Sequence, residues 1–440
     1  MIRGCNRPSV AIVGSIFALA LAARLAFLLV PALERLVPLP YYRALDFADA
    51  ARNVLEGRGA VIDRQWVQRG IDQWQESGRR LPPEPSAIPR SEAPELVPFY
   101  DEIGYLVLTI AFGWLVGDIH WLPPILLQCA LSAGIAALLC ICVTESFASR
   151  AAGLLVGLTY ALHPLEIALA IGPDLPVWGI YAGSVCVCLV LTPAKMRGLL
   201  PLLLRFSAGA FVGFCIAQRG PNAAVLAAAS VALLALRRFR EAGWILAGAV
   251  ALLCAFSALP LRVPSVGRSA MHHTLLAGLA EFGDIEGLEW KDASLHTYLQ
   301  ERYGVEPLTP EFDAAAKQEL QKVLRERPWL PLRVAAHRLL EFTFAWRPAR
   351  RALVLVAGFD LFKLAVVAGA IWAYLWCRKI GRAGLLLWTV VIVIAPVLLH
   401  GLIVPLLEVY IASTLVLLTP FAALGTIAIA QQLRHSVSRS

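Results

Sequence analysis

Two aspartates early in the chain have the spacing that places side chains on one face of a helix. Asp46 and Asp49 are three residues apart, and residues three apart are neighbours on a helical surface. Gly57 and Gly59 follow them, and glycine commonly ends a helix. A carboxylate so placed can take a proton from an attacking hydroxyl. Acids near a helix N-terminus also stabilise the helix dipole without any catalytic role, and spacing alone favours this second interpretation.

Three further acids lie in a predicted turn or at the start of an apolar run. Asp101 and Glu102 directly precede the apolar run 103–117, and Asp174 lies in a proline-containing turn between two longer apolar runs. Acids beside an interfacial run can simply face water, and a Pro-Asp sequence favours a turn. The position of Asp174 is equally compatible with a second active-site acid.

Basic and intramembrane residues supply the other candidates. Arg219 lies in the next predicted turn, directly before Gly-Pro-Asn, where it either extends its head group to the membrane surface or binds phosphate through paired hydrogen bonds. Arg24, His163, Glu166 and Glu408 lie within apolar runs, and ionisable residues there are functional candidates because their burial is costly. His163 is adjacent to a proline, and we interpret it as structural and not as a metal ligand.

The composition indicates which solvent surrounds most of the chain. Of the 440 residues, 58% are apolar and 16% are charged, whereas a soluble domain is about a quarter charged. The mean hydropathy is +0.67. These values exclude a disordered chain, a collagen, a coiled coil and a secreted disulfide scaffold. The net charge of +8 needs no nucleic acid to explain it, because membrane proteins concentrate arginine and lysine on the cytoplasmic side.

The apolar runs predict an all-α polytopic membrane protein. Roughly 20 residues are needed to cross about 30 Å of hydrocarbon, and about ten runs qualify as transmembrane helices: 9–31, 121–143, 151–172, 175–192, 199–218, 221–236, 243–260, 352–376, 384–402 and 408–430. Basic residues in the short loops form six groups, at 3/7, 150, 195/197, 237–240, 378–382 and 434/439. All six fall on one side, the cytoplasmic side, if 103–117 does not cross.

A crossing by 103–117 would change this distribution. With the N-terminus inside, five of the six groups move outside; with the N-terminus outside, five stay inside but the loop 32–102 lies in the cytoplasm. That loop is long and mixed in charge, so the charge rule says little about it. We favour an interfacial or re-entrant 103–117, with both termini cytoplasmic. The first span starts like a signal peptide, but its apolar run continues to Val30, too long for a typical cleaved segment.

The predicted spans divide the chain into three parts. Residues 1–260 form an N-terminal membrane module that includes a structured first outer loop, 32–102. Residues 261–351 form a second structured outer loop, and residues 352–440 form a C-terminal membrane module of three helices. Long structured loops commonly carry function.

The second loop contains its own helical pattern. Glu311 to Trp346 predicts a helix broken at Pro328, and apolar residues alternate with charged ones in 332–346. That alternation is typical of a helix lying on the membrane surface. The adjacent histidines at 272–273 do not by themselves indicate a metal site, because adjacent side chains diverge on a helix.

Taken in order, these motifs resemble those of the type C glycosyltransferase superfamily, in particular the bacterial branch of the protein mannosyltransferase and aminoarabinose transferase families (glycosyltransferase family 39-like). The resemblance covers most of residues 10–235 and rests on the order of the motifs. It is carried by the acidic helix with its Glu-Gly-Arg-Gly end, Asp101 to Tyr105 with Gly117, Gln128, Phe147-x-x-Arg150-Ala-Ala, His163-Pro164, Asp174, Gly209-x-x-x-Gly213 and Arg219-x-Pro221-Asn222.

The resemblance implies an enzyme that moves a sugar from a polyprenyl-phosphate donor to a lipid, glycan or protein acceptor. The reaction is a single inverting displacement at the outer face of the bacterial cytoplasmic membrane. The family's leading acid falls at Arg43 here, so the base is assigned to Asp46 with Asp49 as the alternative. The residues assigned to substrate binding are Asp101, Glu102, Asp174, Arg219, His273 and Arg338. The two arginines are assigned to the donor phosphate. Some relatives use a divalent metal and others do not, and the sequence leaves that cofactor, the sugar and the acceptor open.

Two interpretations from other classes compete with this one. A solute transporter or lipid flippase commonly has internal repeats and broken helices that meet at the midplane. The sequence shows no internal repeat, and its acids cluster towards the outer surface. A non-catalytic member of the same fold is the other alternative, because the leading acid is displaced and a fold does not fix an activity.

Overall fold

The computed structural model describes residues 8–30, 43–77, 82–90, 92, 94–99, 103–172, 176–192, 198–259, 270–280, 285, 287–288, 292–306, 309–344, 353–403 and 408–437. The described part is helical apart from one two-stranded antiparallel ribbon and short irregular segments, which confirms the predicted all-α class. The ribbon was not predicted from the sequence.

The first half of the chain contains these elements in order: α1 (Val10–Leu29), α2 (Arg43–Leu55), β1 (Val61–Asp63), α3 (Arg64–Ser77), β2 (Leu96–Pro98), α4 (Ile103–Val116), α5 (Leu122–Phe147), α6 (Arg150–Ala161), α7 (Pro164–Ala170), α8 (Pro176–Leu191), α9 (Leu199–Gln218), α10 (Ala223–Ala235) and α11 (Phe239–Ser257). Single 3₁₀ turns at Pro85–Ala87 and Gly220–Asn222 join some of them. The second half continues with α12 (Ala270–Leu279), α13 (Asp292–Tyr303), α14 (Pro310–Glu326), α15 (Leu330–Phe344), α16 (Leu353–Lys379), α17 (Ala383–Ile403), α18 (Glu408–Ala422) and α19 (Leu424–Val437).

Four helices of the described part are long and apolar enough to cross a membrane, namely α1, α5, α9 and α11. The helices α6 and α7 meet at an angle of 53° and would count as a fifth span if the bent pair crosses as one. Shorter apolar helices within the described part occupy portions of the predicted runs 103–117, 175–192, 221–236, 384–402 and 408–430. The coarse prediction of a helical protein compatible with a membrane is thus confirmed, while the count of ten spans stays a prediction.

Contacts between helix termini define one end of the helical bundle, which we call the basic end. The hydroxyl of Ser146, near the end of α5, donates to the carbonyl of Leu191 at the end of α8 at 2.5 Å. The guanidinium of Arg238 donates to the carbonyl of Val190 at 2.8 Å. Phe147 contacts Trp376, close to the end of α16, with ring centroids 6.0 Å apart. The basic groups at 150, 237–240 and 378–382 therefore lie at this same end.

A second set of contacts defines the opposite end, which we call the α2 end. The side chain of Gln128, in the first turns of α5, donates to the carbonyl of Gly172 at 3.0 Å. The hydroxyl of Tyr181, in α8, donates to the backbone carbonyl of Gln128 at 2.7 Å. A Cβ atom on Gly104 of α4 would lie 2.6 Å from the backbone of Gln218, the last residue of α9. The helices between the two ends therefore run alternately up and down.

The α2 helix lies over the α2 end together with α3, α4 and the ribbon. Phe47 packs edge-on against Phe99 and Tyr105, each with ring centroids 5.2 Å away. The alanines on either side of Phe47 in α2 are fully buried, and their small side chains allow α3 and α4 to approach α2 closely. Gly57 and Gly59 have φ of 79° and 83° after the last helical residue, so the predicted glycine end of this helix is confirmed.

The apolar helix α4 begins and finishes at the α2 end. Its start contacts the end of α9 at Gly104, and only five residues separate its last residue, Val116, from the start of α5. Fourteen residues span about 21 Å as a helix, which is shorter than the hydrocarbon core of about 30 Å. Near its C-terminus, Gly113 meets Leu55 of α2. The helix therefore lies across the α2 end beneath α2.

Helices α12 to α15 form a smaller unit with a core of its own, built from residues between Leu276 and Val334. The break between α14 and α15 falls at 327–329, so the predicted helix break at Pro328 is confirmed. Glu319 accepts hydrogen bonds from the hydroxyls of Tyr298 at 2.8 Å and Tyr303 at 2.5 Å. These bonds fasten α13 to α14.

Candidate active site

Asp49 is held inside the α2 end by two donors. Its Oδ2 accepts from the backbone N–H of Asp63 at 2.5 Å and from the side-chain amide of Asn53 at 3.2 Å. Asn53 in turn donates to the carbonyl of Val61 at 2.8 Å. Since Asp63 ends β1, Asp49 and Asn53 fasten the ribbon to α2. Only 4% of Asp49 is exposed, so this carboxylate has a structural role that its spacing from Asp46 did not reveal.

The electrostatic environment of Asp49 follows from that burial. Burial raises the pKa of Asp49 above its ordinary value, although the N–H of Asp63 and the charge of Arg52 oppose the shift. Burial also lowers the pKa of Arg52, whose guanidinium lies 5.1 Å from the ring centroid of Trp66. The Trp66 indole donates to the carbonyl of Ile88 at 3.2 Å. The acid therefore sits in a packed, partly neutralised environment.

Asp46 lies one turn earlier on α2 and is half-buried. It directly precedes Phe47, whose ring contacts Tyr105 on α4. Asp46 has the greater access of the two predicted acids, because Asp49 is almost fully covered. The predicted common face of the two carboxylates is consistent with their placement in one helix, but their surroundings differ.

Arg219 lies at the junction between α9 and the 3₁₀ turn Gly220–Asn222. Its backbone is extended, with φ −161° and ψ 115°, and its N–H donates to the carbonyls of Cys215 and Ile216. The side chain is half-buried. Asn222 is buried and donates to the carbonyl of Cys215 at 2.7 Å. The turn that presents Arg219 is therefore fixed to α9 at the α2 end.

The structure leaves three predicted site residues undescribed. Asp101, Glu102 and Asp174 lie outside the described residues. The described residues nearest to Asp174 in the chain are Gly172, which accepts from Gln128, and Pro176, where α8 begins. Both flanks belong to the α2 end.

His273 and Arg338 lie in the smaller unit. His273, on α12, has its ring 5.9 Å from the rings of both His296 and Phe312. Arg338 is 2% exposed and donates to the carbonyl of Gly278, so it joins α15 to α12. These contacts do not bring either residue to Asp46 or Arg219, and their substrate-binding roles stay predictions.

The described residues offer no ready metal centre. No group of three or more histidine, cysteine, aspartate or glutamate side chains among them has a geometry that could hold a metal ion. The imidazole of His272 faces the carboxylate of Asp313 at 3.4 Å, which is a pair and not a cluster.

A buried charge network holds the bundle together between its two ends. Arg24 pairs with Glu166, and both side chains are fully buried. Arg24 also donates to Ser132 Oγ at 2.6 Å and to the carbonyl of Ala161 at 2.9 Å. The hydroxyl of Tyr160 lies 3.5 Å from Glu166. The sequence identified both charges as intramembrane candidates, but their pairing across 142 residues needed the structure.

An open pocket of ≈ 480 Å³ lies beside the first turns of α3, lined by Arg64, Gln65, Gln68, Arg69 and Glu95. It adjoins the ribbon, because Arg64 follows Asp63 directly and faces Glu95 at 3.4 Å. Asp63 is the residue whose N–H binds Asp49. The pocket is therefore linked to α2 through the hydrogen bond between Asp63 and Asp49.

The described structure is that of a helical protein with several apolar helices compatible with a membrane. A comparison with models of known protein families finds no match, and a comparison with curated proteins finds none either. The function is therefore argued from the geometry of the α2 end and from the order of the motifs.

Proposed function

We propose that the chain is a membrane glycosyltransferase that moves a sugar from a polyprenyl-phosphate donor to a lipid, glycan or protein acceptor. The observation that carries the proposal is the continuous packing between α2, with Asp46, and the end of α9, which precedes Arg219. The helix α4 makes that link, because Tyr105 contacts Phe47 and Gly104 lies against Gln218. An acid and an arginine that are 173 residues apart in sequence thus belong to one end of one bundle.

The chemistry assigned to these residues is a single inverting displacement. Asp46 takes the proton from the acceptor hydroxyl as the oxygen attacks the anomeric carbon. The bond from that carbon to the phosphate oxygen breaks, and the leaving phosphate keeps the electron pair. Arg219 stabilises the added negative charge through paired hydrogen bonds. Asp174, from the neighbouring turn, orients the acceptor.

The proposal includes a membrane orientation. Ten crossings place the basic end in the cytoplasm, in agreement with the bias of arginine and lysine towards that side. The α2 end, and with it α2, α3, α4 and the unit α12–α15, then lies at the outer face of a bacterial cytoplasmic membrane. The short reach of α4 supports a count in which 103–117 does not cross.

Incubation of purified protein with a panel of polyprenyl-phosphate sugars tests the proposal. Wild type should transfer at least one sugar, and Asp46→Asn should lower the rate by about 10²–10⁴-fold, the usual contribution of a general base. Asp72→Asn is the matched control, because Asp72 is an exposed acid on α3, and it should leave the rate unchanged. Equal rates for Asp46→Asn and wild type would refute the assigned base.

The bent helix pair favours transport as a second candidate function. Broken helices that carry a buried charge are typical of secondary transporters, and α7 starts with Glu166 in its first turn after a 53° bend. Glu166 is already paired with Arg24 and Ser132, however, so it is satisfied by the protein itself. Sugar-dependent flux across vesicles without any transfer product would favour the transporter or flippase. A folded protein with neither activity would favour a non-catalytic member of the fold.

A further inference from the structure

Three fully buried side chains at the α2 end have polar atoms that find no hydrogen-bond partner within the described part of the chain. Gln218 leaves both its Oε1 and its Nε2 unpaired, Trp178 leaves its indole N–H, and Gln128 leaves its Oε1. Each side chain is 0% exposed. Nine in ten or more buried polar groups in proteins are paired, and an unpaired one is unfavourable. A group of them at one place therefore requires an explanation.

The three side chains are brought together by the start of α8. The ring of Trp178 lies 5.2 Å from that of Phe214, which is one helical turn before Gln218 on α9. The next residue, Gly179, faces Asn222, since a Cβ atom there would lie 2.9 Å from Asn222 Oδ1. Gln218 falls between these two contact points in sequence, which places it on the stretch of α9 that packs against the start of α8.

The same helix turn reaches Gln128 on its other side. The rings of Trp178 and Tyr181 are 5.5 Å apart, and the hydroxyl of Tyr181 donates to the backbone carbonyl of Gln128 at 2.7 Å. The amide of Gln128 is held in place by its donation to Gly172. The helices α5, α8 and α9 thus each contribute one unpaired polar side chain to the same region.

The chemistry of this group selects its ligand. Two amides and an indole offer both donors and acceptors, and all three are uncharged. The rings of Trp178, Tyr181 and Phe214 add flat apolar surfaces beside them. A hydroxylated ring has groups that both donate and accept, and it has C–H faces that pack on aromatic rings. A phosphate or a carboxylate would instead call for a cation among these three side chains.

We propose that Gln128, Trp178 and Gln218 form the subsite that binds the neutral sugar ring of the donor. The inference rests on the proposed function for the identity of that donor. Arg219 follows Gln218 directly, so the sugar subsite adjoins the residue assigned to the phosphate. The three side chains are 0% exposed in this structure, so binding of a sugar requires a neighbouring element to move. The helix α4 covers the end of α9 at Gly104, and it is the element that has to shift for the sugar to enter.

Binding of the glycosylated carrier compared with the bare carrier tests the subsite. Purified protein in detergent is titrated with polyprenyl phosphate and with polyprenyl phosphate bearing mannose, glucose, galactose or arabinose. Wild type should bind at least one glycosylated carrier about tenfold more tightly than the bare one. Gln218→Leu and Trp178→Phe should each abolish this preference, while their affinity for bare polyprenyl phosphate stays within about twofold of wild type.

The melting temperature gives a second readout. If Gln218 had a purely structural role, its replacement would lower the melting temperature, whereas the subsite predicts a rise. Gln218→Leu replaces an unpaired buried amide by an apolar group of similar volume, so the melting temperature of the variant without ligand should rise. Gln68→Leu is the matched control, because Gln68 is exposed on α3, and it should change neither the melting temperature nor the sugar preference. A fall in the melting temperature of Gln218→Leu with the sugar preference intact would overturn the inference.

The outcomes separate this inference from the proposed function. If the wild type prefers a glycosylated carrier but does not transfer its sugar, and if Gln218→Leu lacks this preference, the subsite is supported and the transferase is refuted. A Gln218→Leu variant that transfers sugar with an unchanged KM for the donor refutes the subsite and keeps the transferase. A wild type that binds every glycosylated carrier no better than the bare one refutes the subsite.

Discussion

Replacement of Glu166 by glutamine tests how the bundle beneath the candidate site is held together. The change keeps the size of the side chain but removes the carboxylate that neutralises Arg24, and both residues are fully buried. Breaking a buried ion pair on one side typically costs about 3–5 kcal/mol. The carbonyls of Ala20 and Ala161 still accept from the guanidinium at 2.6 and 2.9 Å. We therefore expect a loss near the lower limit of that range, about 3 kcal/mol.

A double variant separates the loss of a charge partner from the loss of packing. Arg24→Met combined with Glu166→Leu removes both charges and keeps apolar volume, and such replacements are often neutral or stabilising. Its free energy of unfolding should lie closer to wild type than that of Glu166→Gln alone. Glu76→Gln, at an exposed position on α3, should have no measurable effect. The free energies come from denaturant unfolding in detergent, followed by far-ultraviolet circular dichroism.

Two results would refute this reasoning. A Glu166→Gln variant as stable as Glu76→Gln would show that the pair does not hold the helices. A double variant less stable than Glu166→Gln would show that hydrogen bonds to Ser132 and Ala161 matter more than the unpaired charge. If the double variant is stable and still transfers sugar, the pair is structural, which also weakens the transporter interpretation.

Four further predictions concern the site, the packing, the orientation and the pH dependence. Arg219→Ala should weaken binding of bare polyprenyl phosphate by about 1.5–3 kcal/mol, the usual value of a hydrogen bond to a charged group; unchanged affinity with impaired folding would make Arg219 structural. Gly209→Leu should prevent stable folding, because a Cβ atom there meets the backbone of Ile245 on α11. Gly243→Leu should fold, because no atom lies within 4 Å of a Cβ atom at that position. The unfolding temperatures of the two variants test this difference. Cysteines at the exposed positions Gln65 and Gln300 should react with an impermeant maleimide on whole cells, and one at Arg240 only after permeabilisation; labelling of Arg240→Cys from outside would overturn the orientation. Burial raises the pKa of Asp49 in the folded state, so the stability that the protonated side chain contributes is present below the unfolded pKa and is lost as the pH rises through the folded pKa. Asp49→Asn should remove this dependence of stability on pH. An unchanged pH profile of stability would contradict the assigned environment.

Local features of the fold could be predicted from the sequence, because they depend on neighbouring residues. The end of α2 follows from Gly57 and Gly59, and both have a positive φ, which glycine adopts readily. The break between α14 and α15 follows from Pro328, since proline interrupts a helix. The presence of long apolar helices follows from the length of the apolar runs in the sequence.

Features that depend on distant residues could not be predicted in the same way. The strands β1 and β2 have three residues each and pair across more than thirty positions, which is too little pattern for a strand prediction. Three of the four partners of Arg24 lie more than a hundred residues away, in α5, α6 and α7. That Gln218 and Trp178 have polar atoms without a partner within the described part of the chain is apparent only from the three-dimensional packing.

The choice between the two acids of α2 illustrates why geometry has to precede electrostatics. Asp49 has the raised pKa that would make it the stronger base, but its Oδ2 already accepts from Asp63 and Asn53 and its surface is covered. A general base has to reach the hydroxyl before its pKa matters, and Asp46 is the more accessible of the two. Asp46→Asn should therefore lower transfer without lowering stability, while Asp49→Asn should lower transfer less and should not lower stability at neutral pH, where the raised pKa leaves the carboxylate no stabilising contribution to lose. Loss of transfer in Asp49→Asn at full stability, with Asp46→Asn active, would reverse the assignment.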